Sequence, residues 1–312
     1  MISAHRKFNE TVRISVAEMV GMNRYSSSIP LSPGKILARQ SGNYQSPFKG
    51  RGMEFDESRL YQPGDDIRNI DWRVTAKTGK THTKLFREER ERPVFLWVDL
   101  RAPMFFATRG RFKSVMASYI ASLLAWSANH HGDRIGGVIF SEAIHHELKP
   151  HRGKIGVLRF INKLVEHPSW ENPYNAHSDN SAFGRELIRL RRVSRPGSMI
   201  FLISDFRYMS ESDENQIIRL SKHNDVILIY VSDRLEATLP SGGQYRISDG
   251  ENDMSIDTYN KEYLEKYQIK HEQHTERLFR MSRMGNINLI SCSTHDDPLQ
   301  ILQQRMVAAS KK

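Results

Sequence analysis

Val94-Phe95-Leu96-Trp97-Val98-Asp99, running straight into Leu100-Arg101-Ala102-Pro103-Met104, decides the fold of this chain. Five apolar residues in succession, with charges upstream and a proline-containing turn downstream, read as a strand buried on both faces of a parallel sheet. The strand ends on an acid. In an open α/β sheet the binding crevice lies at the carboxyl ends of the strands, so Asp99 is placed to face whatever the protein binds.

Outward from that strand the pattern repeats. Residues 111–131 set Phe112, Val115, Met116, Tyr119, Ile120, Leu123 and Leu124 at helical spacing, an amphipathic helix covering one face of the sheet. Residues 134–140 read as the next strand, 143–148 as a hairpin partner, and 153–167 and 181–192 as helices separated by a polar loop at 171–180. Ser198-Met199-Ile200-Phe201-Leu202-Ile203 is a second buried strand, closed by Ser204-Asp205. A helix over 211–223, a strand over 226–231, a loop or hairpin over 235–253, a charged helix over 258–283, a short strand at 288–291 and a helix over 298–309 come after it. Strands alternating with helices predict a doubly wound, mostly parallel α/β sheet flanked by helices. Residues 91–312 form this α/β domain, and residues 1–90 form a smaller charged region in front of it.

That front region has a ragged helical pattern at 11–22 and a Ser-, Pro- and Gly-rich stretch at 26–52 that reads as surface loop. Residues 81–90 alternate into the mixed run 87–92, a strand reaching an exposed charged edge. Between them lies Arg59-Leu60-Tyr61-Gln62-Pro63-Gly64-Asp65-Asp66-Ile67-Arg68-Asn69-Ile70-Asp71-Trp72, preceded by Glu54-Phe55. Pro63-Gly64 sets a turn, and Asp65 or Asp66 can cap the next segment of chain by accepting backbone N–H bonds. Arginines interleaved with Asp65, Asp66 and Asp71 favour a local ion-pair network over a catalytic or metal-binding carboxylate cluster, because they neutralise the acids such chemistry needs free. Trp72, Trp97 and Trp126 stand in apolar surroundings and read as packing anchors.

Composition narrows the function. The longest apolar runs are about six residues, far short of the roughly 20 that cross a bilayer, and residues 1–9 lack a signal-peptide core, which together predict a cytoplasmic protein. A single cysteine, Cys292, excludes an internal disulfide and a thiolate metal cluster. The formal charge of +10 favours acidic partners. Its densest cluster, Arg189, Arg191, Arg192 and Arg195, closes a helix where cations complement the dipole, so nucleic acid is not the expected partner. His130-His131 and His145-His146 read as surface or helix-end residues; His271 and His274, with Glu272 beside them, could hold an adventitious metal. P-loop, His-Glu-x-x-His and Gly-x-Ser-x-Gly motifs are absent.

Asp99 and Asp205 both come at the ends of long apolar strands, and if those strands are neighbours the two acids share a crevice suited to a divalent cation. Gly50-x-Gly52-x-Glu54-Phe55, the Arg59 to Trp72 stretch, the strand ending at Asp99, Gly132-Asp133-Arg134-x-Gly136, Ile203-Ser204-Asp205-Phe206, and the tail from Asp233 through Glu236 and Leu239-Pro240 to Thr294 resemble the bacterial domain-of-unknown-function family 58 (DUF58). The resemblance implies a von Willebrand factor type A-like domain and a metal-ion-dependent adhesion site of the form Asp-x-Ser-x-Ser, then Thr, then Asp. By position Asp99 is the first acid, Ser181 stands where the threonine would be, and Asp205 is the last acid. Arg101 and Pro103 replace the two serines. No cofactor is expected: a guanidinium and a residue without a hydroxyl weaken Mg2+ binding. Arg101 is expected to pair with Asp99, Asp205 or both in place of the ion.

The resemblance further implies a non-catalytic adaptor working with a MoxR-type AAA+ ATPase in the chaperone-like maturation of another complex. Arg101, Met104 and Ser204 are then the residues expected to meet a partner. Glu54, Arg59, Tyr61, Pro63, Gly64, Asp65, Asp66, Arg68, Asp71 and Trp72 form a structural signature. A metal-dependent hydrolase using the strand-end carboxylates is the enzymatic alternative, and a nucleic-acid-binding protein the third.

Overall fold

The structure, a computed structural model, describes residues 12–31, 53–88, 92–108, 110–173, 181–240, 242–248, 253–285 and 287–310. The expected loop at 26–52 and the polar loop at 171–180 lie mostly outside these residues, as do Gly50 and Gly52, and part of the run 87–92. The side chain of Glu54 is likewise outside them.

The chain forms a mixed α/β fold. Six strands make the central sheet: β3 (Pro93–Asp99), β4 (Arg134–Phe140), β5 (His145–Arg152), β6 (Met199–Ser204), β7 (Asp225–Ser232) and β10 (Asn288–Ser293), in the spatial order β10-β7-β6-β3-β4-β5. All neighbours are parallel except β4 and β5, which pair as an antiparallel hairpin. Strand order reverses at β3, with β4 on one side and β6 on the other, so the switch point falls between β3 and β6. Their register sets Val98 opposite Ile203, which brings Asp99 beside Ser204.

Side chains of β3 alternate between two cores, as the pleat requires. Val94, Leu96 and Val98 face α4 (Lys113–His130), α5 (Gly153–Val165) and α10 (Pro298–Ser310); Phe95 and Trp97 face α6 (Ala182–Val193), α7 (Glu211–Ser221) and α9 (Lys261–Gly285). Gly137 in β4 has no room for a side chain, since a Cβ there would meet Leu96 O at 2.2 Å.

Two expectations are corrected on the α4 side. The helix is buried nearly all round, from Lys113 to Ala128, rather than amphipathic. Residues 12–31, expected with the charged front region, cover its outer face: Trp126 Nε1 donates to Met19 O at 3.0 Å and Ser127 Oγ to Ile29 O at 2.8 Å. These residues include α1 (Val16–Gly21), opened by a Ser15–Glu18 capping box, and α2 (Asn23–Ser26). Contacts accordingly divide the chain into residues 39–91 and all the rest, not at residue 90 alone.

Residues 39–91 form a separate unit. Strands β1 (Met53–Leu60) and β2 (His82–Glu88) pair antiparallel, and α3 (Trp72–Thr78) is capped by Asp71. β2 therefore belongs to a two-stranded sheet of its own. Trp72 is 68% exposed and is not a packing anchor, unlike Trp97 at 0% and Trp126 at 2%. It occupies the first position of α3, and the cap fixed by Asp71 leaves it facing solvent. In the remaining part, α8 (Arg234–Ala237) comes after β7, and β8 (Gln244–Ser248) pairs antiparallel with β9 (Asp253–Asp257).

Candidate functional site

The carboxyl ends of β3 and β6 bring the two strand-end aspartates to the same end of the sheet, on adjacent strands, as the sequence leads one to expect. The crevice between them is closed. Asp99 is 0% and Asp205 1% exposed, and the space expected for a ligand is filled by the chain's own cations.

Arg101 folds back on Asp99 because the turn after β3 reverses the chain at Ala102-Pro103-Met104. Its Nε lies 3.0 Å from one carboxylate oxygen and 3.1 Å from the other, Nη2 lies 2.7 Å from the latter, and its own N–H also donates to Asp99 at 3.0 Å. Ser204 Oγ completes the shell, donating to Asp99 at 2.6 Å. The guanidinium lies 5.1 Å from the Phe183 ring and 6.0 Å from that of Phe140, so aromatic faces replace its hydration. Burial works against its charge, but Asp99, then Asp205 and Glu142, holds the guanidinium protonated more firmly than usual.

Asp205 is held by a cation that sequence reasoning missed. Lys113, fully buried at the first position of α4, donates from Nζ to Asp205 at 2.7 Å and to Glu236 at 2.6 Å. An ammonium at a helix N-terminus is opposed by the helix dipole, and burial opposes it again. Two carboxylates offset both. Burial raises the Asp205 pKa, yet Lys113 first, then Arg101 and Arg207, outweigh it and hold the carboxyl at about 2. The sequence neighbourhood of Lys113, a lysine opening a helix of apolar residues and serines, does not mark it as buried.

Around this pair the crest is tied together. Arg207 Nη2 meets Glu236 at 3.1 Å, and Arg101 Nη2 reaches the Arg207 carbonyl at 3.3 Å. Asp233 accepts from Thr108 Oγ1 at 2.6 Å and Thr294 Oγ1 at 2.7 Å, fastening the loops after β3 and β10 to that after β7. The loop after β6 carries the only non-glycine residues of positive φ among those described, Phe206 at 55° and Tyr208 at 61°. The first ring is buried and the second is 58% exposed. Backbone of this kind is held against its preference by the surrounding contacts.

A divalent cation does not fit here. Positions 101 and 103 carry no hydroxyl, Asp99 is enclosed by Arg101 and Ser204, and Lys113 sits on Asp205. Ser181 is exposed just ahead of α6, where its hydroxyl accepts from Arg185 at 3.0 Å. Among the described residues no group of three or more His, Cys, Asp or Glu side chains could hold a metal ion. His274 instead donates to the Asp205 carbonyl at 2.9 Å. Met104 and Ser204, expected to meet a partner, are both buried at 0%. Met104 packs in the core beneath the turn, and Ser204 bridges Asp99 to the Phe206 N–H, which donates to its hydroxyl at 2.8 Å.

The acids of the signature do local structural work. Asp65 pairs with Arg59 at 2.7 Å and accepts from Gln62 N at 2.9 Å; Asp66 accepts from Arg68 N at 2.9 Å. Asp71 accepts from Ser58 Oγ at 2.8 Å and from Arg73 N and Val74 N at 3.2 Å. These bonds hold the Asp65 and Asp71 carboxyls below their usual pKa, through Gln62 N–H in the first case and the Ser58 hydroxyl in the second.

Residues 57–277 match the family described as "Protein of unknown function DUF58". An uncharacterized protein of Mycobacterium tuberculosis is 28% identical over 244 residues, covering 77% of this chain and 75% of its own, and an uncharacterized Mycobacterium bovis protein matches equally. Among solved structures, the conserved hypothetical protein BatB of Bacteroides thetaiotaomicron aligns at 16% identity and a TM-score of 0.45 over 71% of this chain and 100% of its own. An aerotolerance-related membrane protein of Bacteroides fragilis aligns at 15% identity and a TM-score of 0.47 with the same coverage. No helix among the described residues of this chain is long and apolar enough to cross a membrane.

Proposed function

Because the chain belongs to the DUF58 family, we propose that it is a non-catalytic interaction module, an adaptor with a von Willebrand factor A-like sheet whose adhesion site has lost its metal. Its partner in this reading is a MoxR-type AAA+ ATPase, and the pair matures another complex. One observation carries the recognition role: both strand-end aspartates are neutralised by the chain's own Arg101 and Lys113. A general base or metal ligand needs a carboxylate lone pair within reach of substrate. Here those lone pairs face internal donors and are buried, so the crest is a fixed platform of complementary charge that supports binding in preference to turnover.

The test is a pull-down of a purified MoxR-type ATPase by the full chain with ATP, with ADP and without nucleotide. Retention that depends on nucleotide is the expected result. No retention under any condition overturns the adaptor reading, and saturable Mg2+ binding by the isolated chain in a calorimetric titration overturns the metal-free site. The hydrolase alternative is separated by Asp99→Asn, which abolishes turnover in a metal-dependent enzyme.

A further inference from the structure

In the unit of residues 39–91, α3 shows two different sides. The side turned to β2 is marked by Thr75, whose Oγ1 accepts from His82 N at 3.0 Å, and by Thr78, whose Oγ1 lies 3.2 Å from His82 Nδ1. The opposite side, at the four-residue spacing of one helix face, is Trp72 with Ala76 and Arg73 with Lys77, and all four are exposed. α3 contains no acid. Among the described residues Arg73 and Lys77 have no ion pair, and the same holds for Lys80, exposed just past the Gly79 cap.

The acids nearby in sequence are engaged elsewhere. Asp65 pairs with Arg59, Asp66 accepts from Arg68 N, and Asp71 is taken up by Ser58 and the first N–H groups of α3. Glu57 on β1 and Asp66 are the exposed acids among the described residues of this unit. Trp72 supplies the apolar part of the face. Of the chain's four tryptophans it alone is exposed, and the others are at 9% or less. Its backbone is held by the Asp71 cap and by Asp71 N, which donates to His82 O at 2.8 Å. Ala76, one turn on, is too small to cover the face. An exposed tryptophan beside an arginine on fixed backbone has the composition of an interface anchor.

We infer that this face of α3 docks an acidic segment of a partner protein, whose carboxylates pair with Arg73 and Lys77 and whose apolar side chain rests on Trp72. The inference rests on the adaptor reading and adds to it a contact surface in residues 39–91. Charge complementarity selects the occupant: a carboxylate supplies what these two cations lack in the folded chain and displaces no internal partner. Nucleic acid is disfavoured because successive bases stack on several rings and α3 offers one. A lipid surface is disfavoured because a helix lying in the interface keeps cations and apolar rings on opposite faces, whereas here they share one.

The test uses the full chain and a fluorescently labelled synthetic peptide of Glu and Leu, with anisotropy as the measure of binding and acrylamide quenching of intrinsic fluorescence, which reports chiefly Trp72, as the measure of place. Binding is expected to shield the tryptophan from quencher and to weaken at least about tenfold between about 50 and about 300 mM NaCl. Arg73→Glu with Lys77→Glu should weaken it at least about tenfold at the lower salt, and Trp72→Ala severalfold, with circular dichroism unchanged in both because the altered side chains are exposed. Arg191→Glu with Arg192→Glu, the same charge change on the exposed side of α6, should leave binding as it was. No peptide binding, binding that leaves quenching unaltered, equal losses in the two double variants, or tighter binding of a single-stranded oligonucleotide or of phosphatidylglycerol vesicles overturns the inference. No ATPase enters this measurement, so the α3 surface can fail while the adaptor reading stands, and the pull-down can fail while the surface stands.

Discussion

Two sets of aspartates in this molecule reach opposite ends by similar means. In the signature unit Asp65, Asp66 and Asp71 meet groups a few residues away, chiefly backbone N–H donors at the start of a turn or helix. At the crest Asp205 is joined to Lys113 across 92 positions of sequence, and Lys113 to Glu236 across 123. The first arrangement fixes the path of one segment. The second fixes how β6, α4 and α8 sit against one another, and it does so without water, where an unmatched charge is most costly. Aspartate content alone therefore does not mark a reactive site; what matters is whether the partner is a neighbour in sequence and whether water is excluded.

Lys113→Met should break the comparison most sharply. It leaves Asp205 buried with Arg207 at 3.8 Å as its nearest remaining cation. Removing one member of a buried pair costs about 3–5 kcal/mol. Urea unfolding is expected to show a loss of that size, and a loss below about 1 kcal/mol would mean that the ammonium is not what holds the crest together.

Acid titration sharpens the same point. In the unfolded chain the Asp205 carboxyl titrates near 3.8, whereas the folded chain holds it at about 2. The unfolded state therefore takes up the proton first as the pH falls, and the stability this group contributes is present above 3.8 and lost on the way down to about 2. In Lys113→Met the largest of the influences that lower this carboxyl is gone, so its folded pKa rises toward the unfolded one. The variant then gives up less stability than the parent protein as the pH falls, and its deficit should shrink between 3.8 and about 2. Parallel stability curves for the two proteins over that range would contradict the assignment.

The same contrast explains what could be read from sequence. Apolar runs at 94–98, 199–203 and 226–231 announce buried strands, and their spacing announces the helices between them, because burial on both faces leaves no polar position. Arg101 was legible as the partner of Asp99, two residues away. Lys113 was not, since nothing local distinguishes a buried lysine opening a helix from one that reaches water. The full burial of α4 escaped for a related reason: Ser118, Ser122 and Ser127 look like a polar face, but they bond to Ser114 O, the Met19 sulfur and Ile29 O. Trp72 failed in the reverse sense: an apolar ring that reads as core stands 68% exposed at the first position of α3.

Asp71→Ala tests the local half of the comparison and should have the smallest effect. It removes the side chain that accepts from Arg73 N and Val74 N, and with it the bond to Ser58 that ties α3 to β1. Loss of an N-cap weakens one helix end and leaves the rest of the fold in place. Amide hydrogen exchange should therefore quicken over residues 72–76 while protection in β3, β6 and α4 stays as it was, and the urea midpoint should move far less than in Lys113→Met. A global loss of protection instead would show that this unit is coupled to the central sheet as tightly as the crest is to itself, and the distinction between local and long-range carboxylates would no longer divide the molecule.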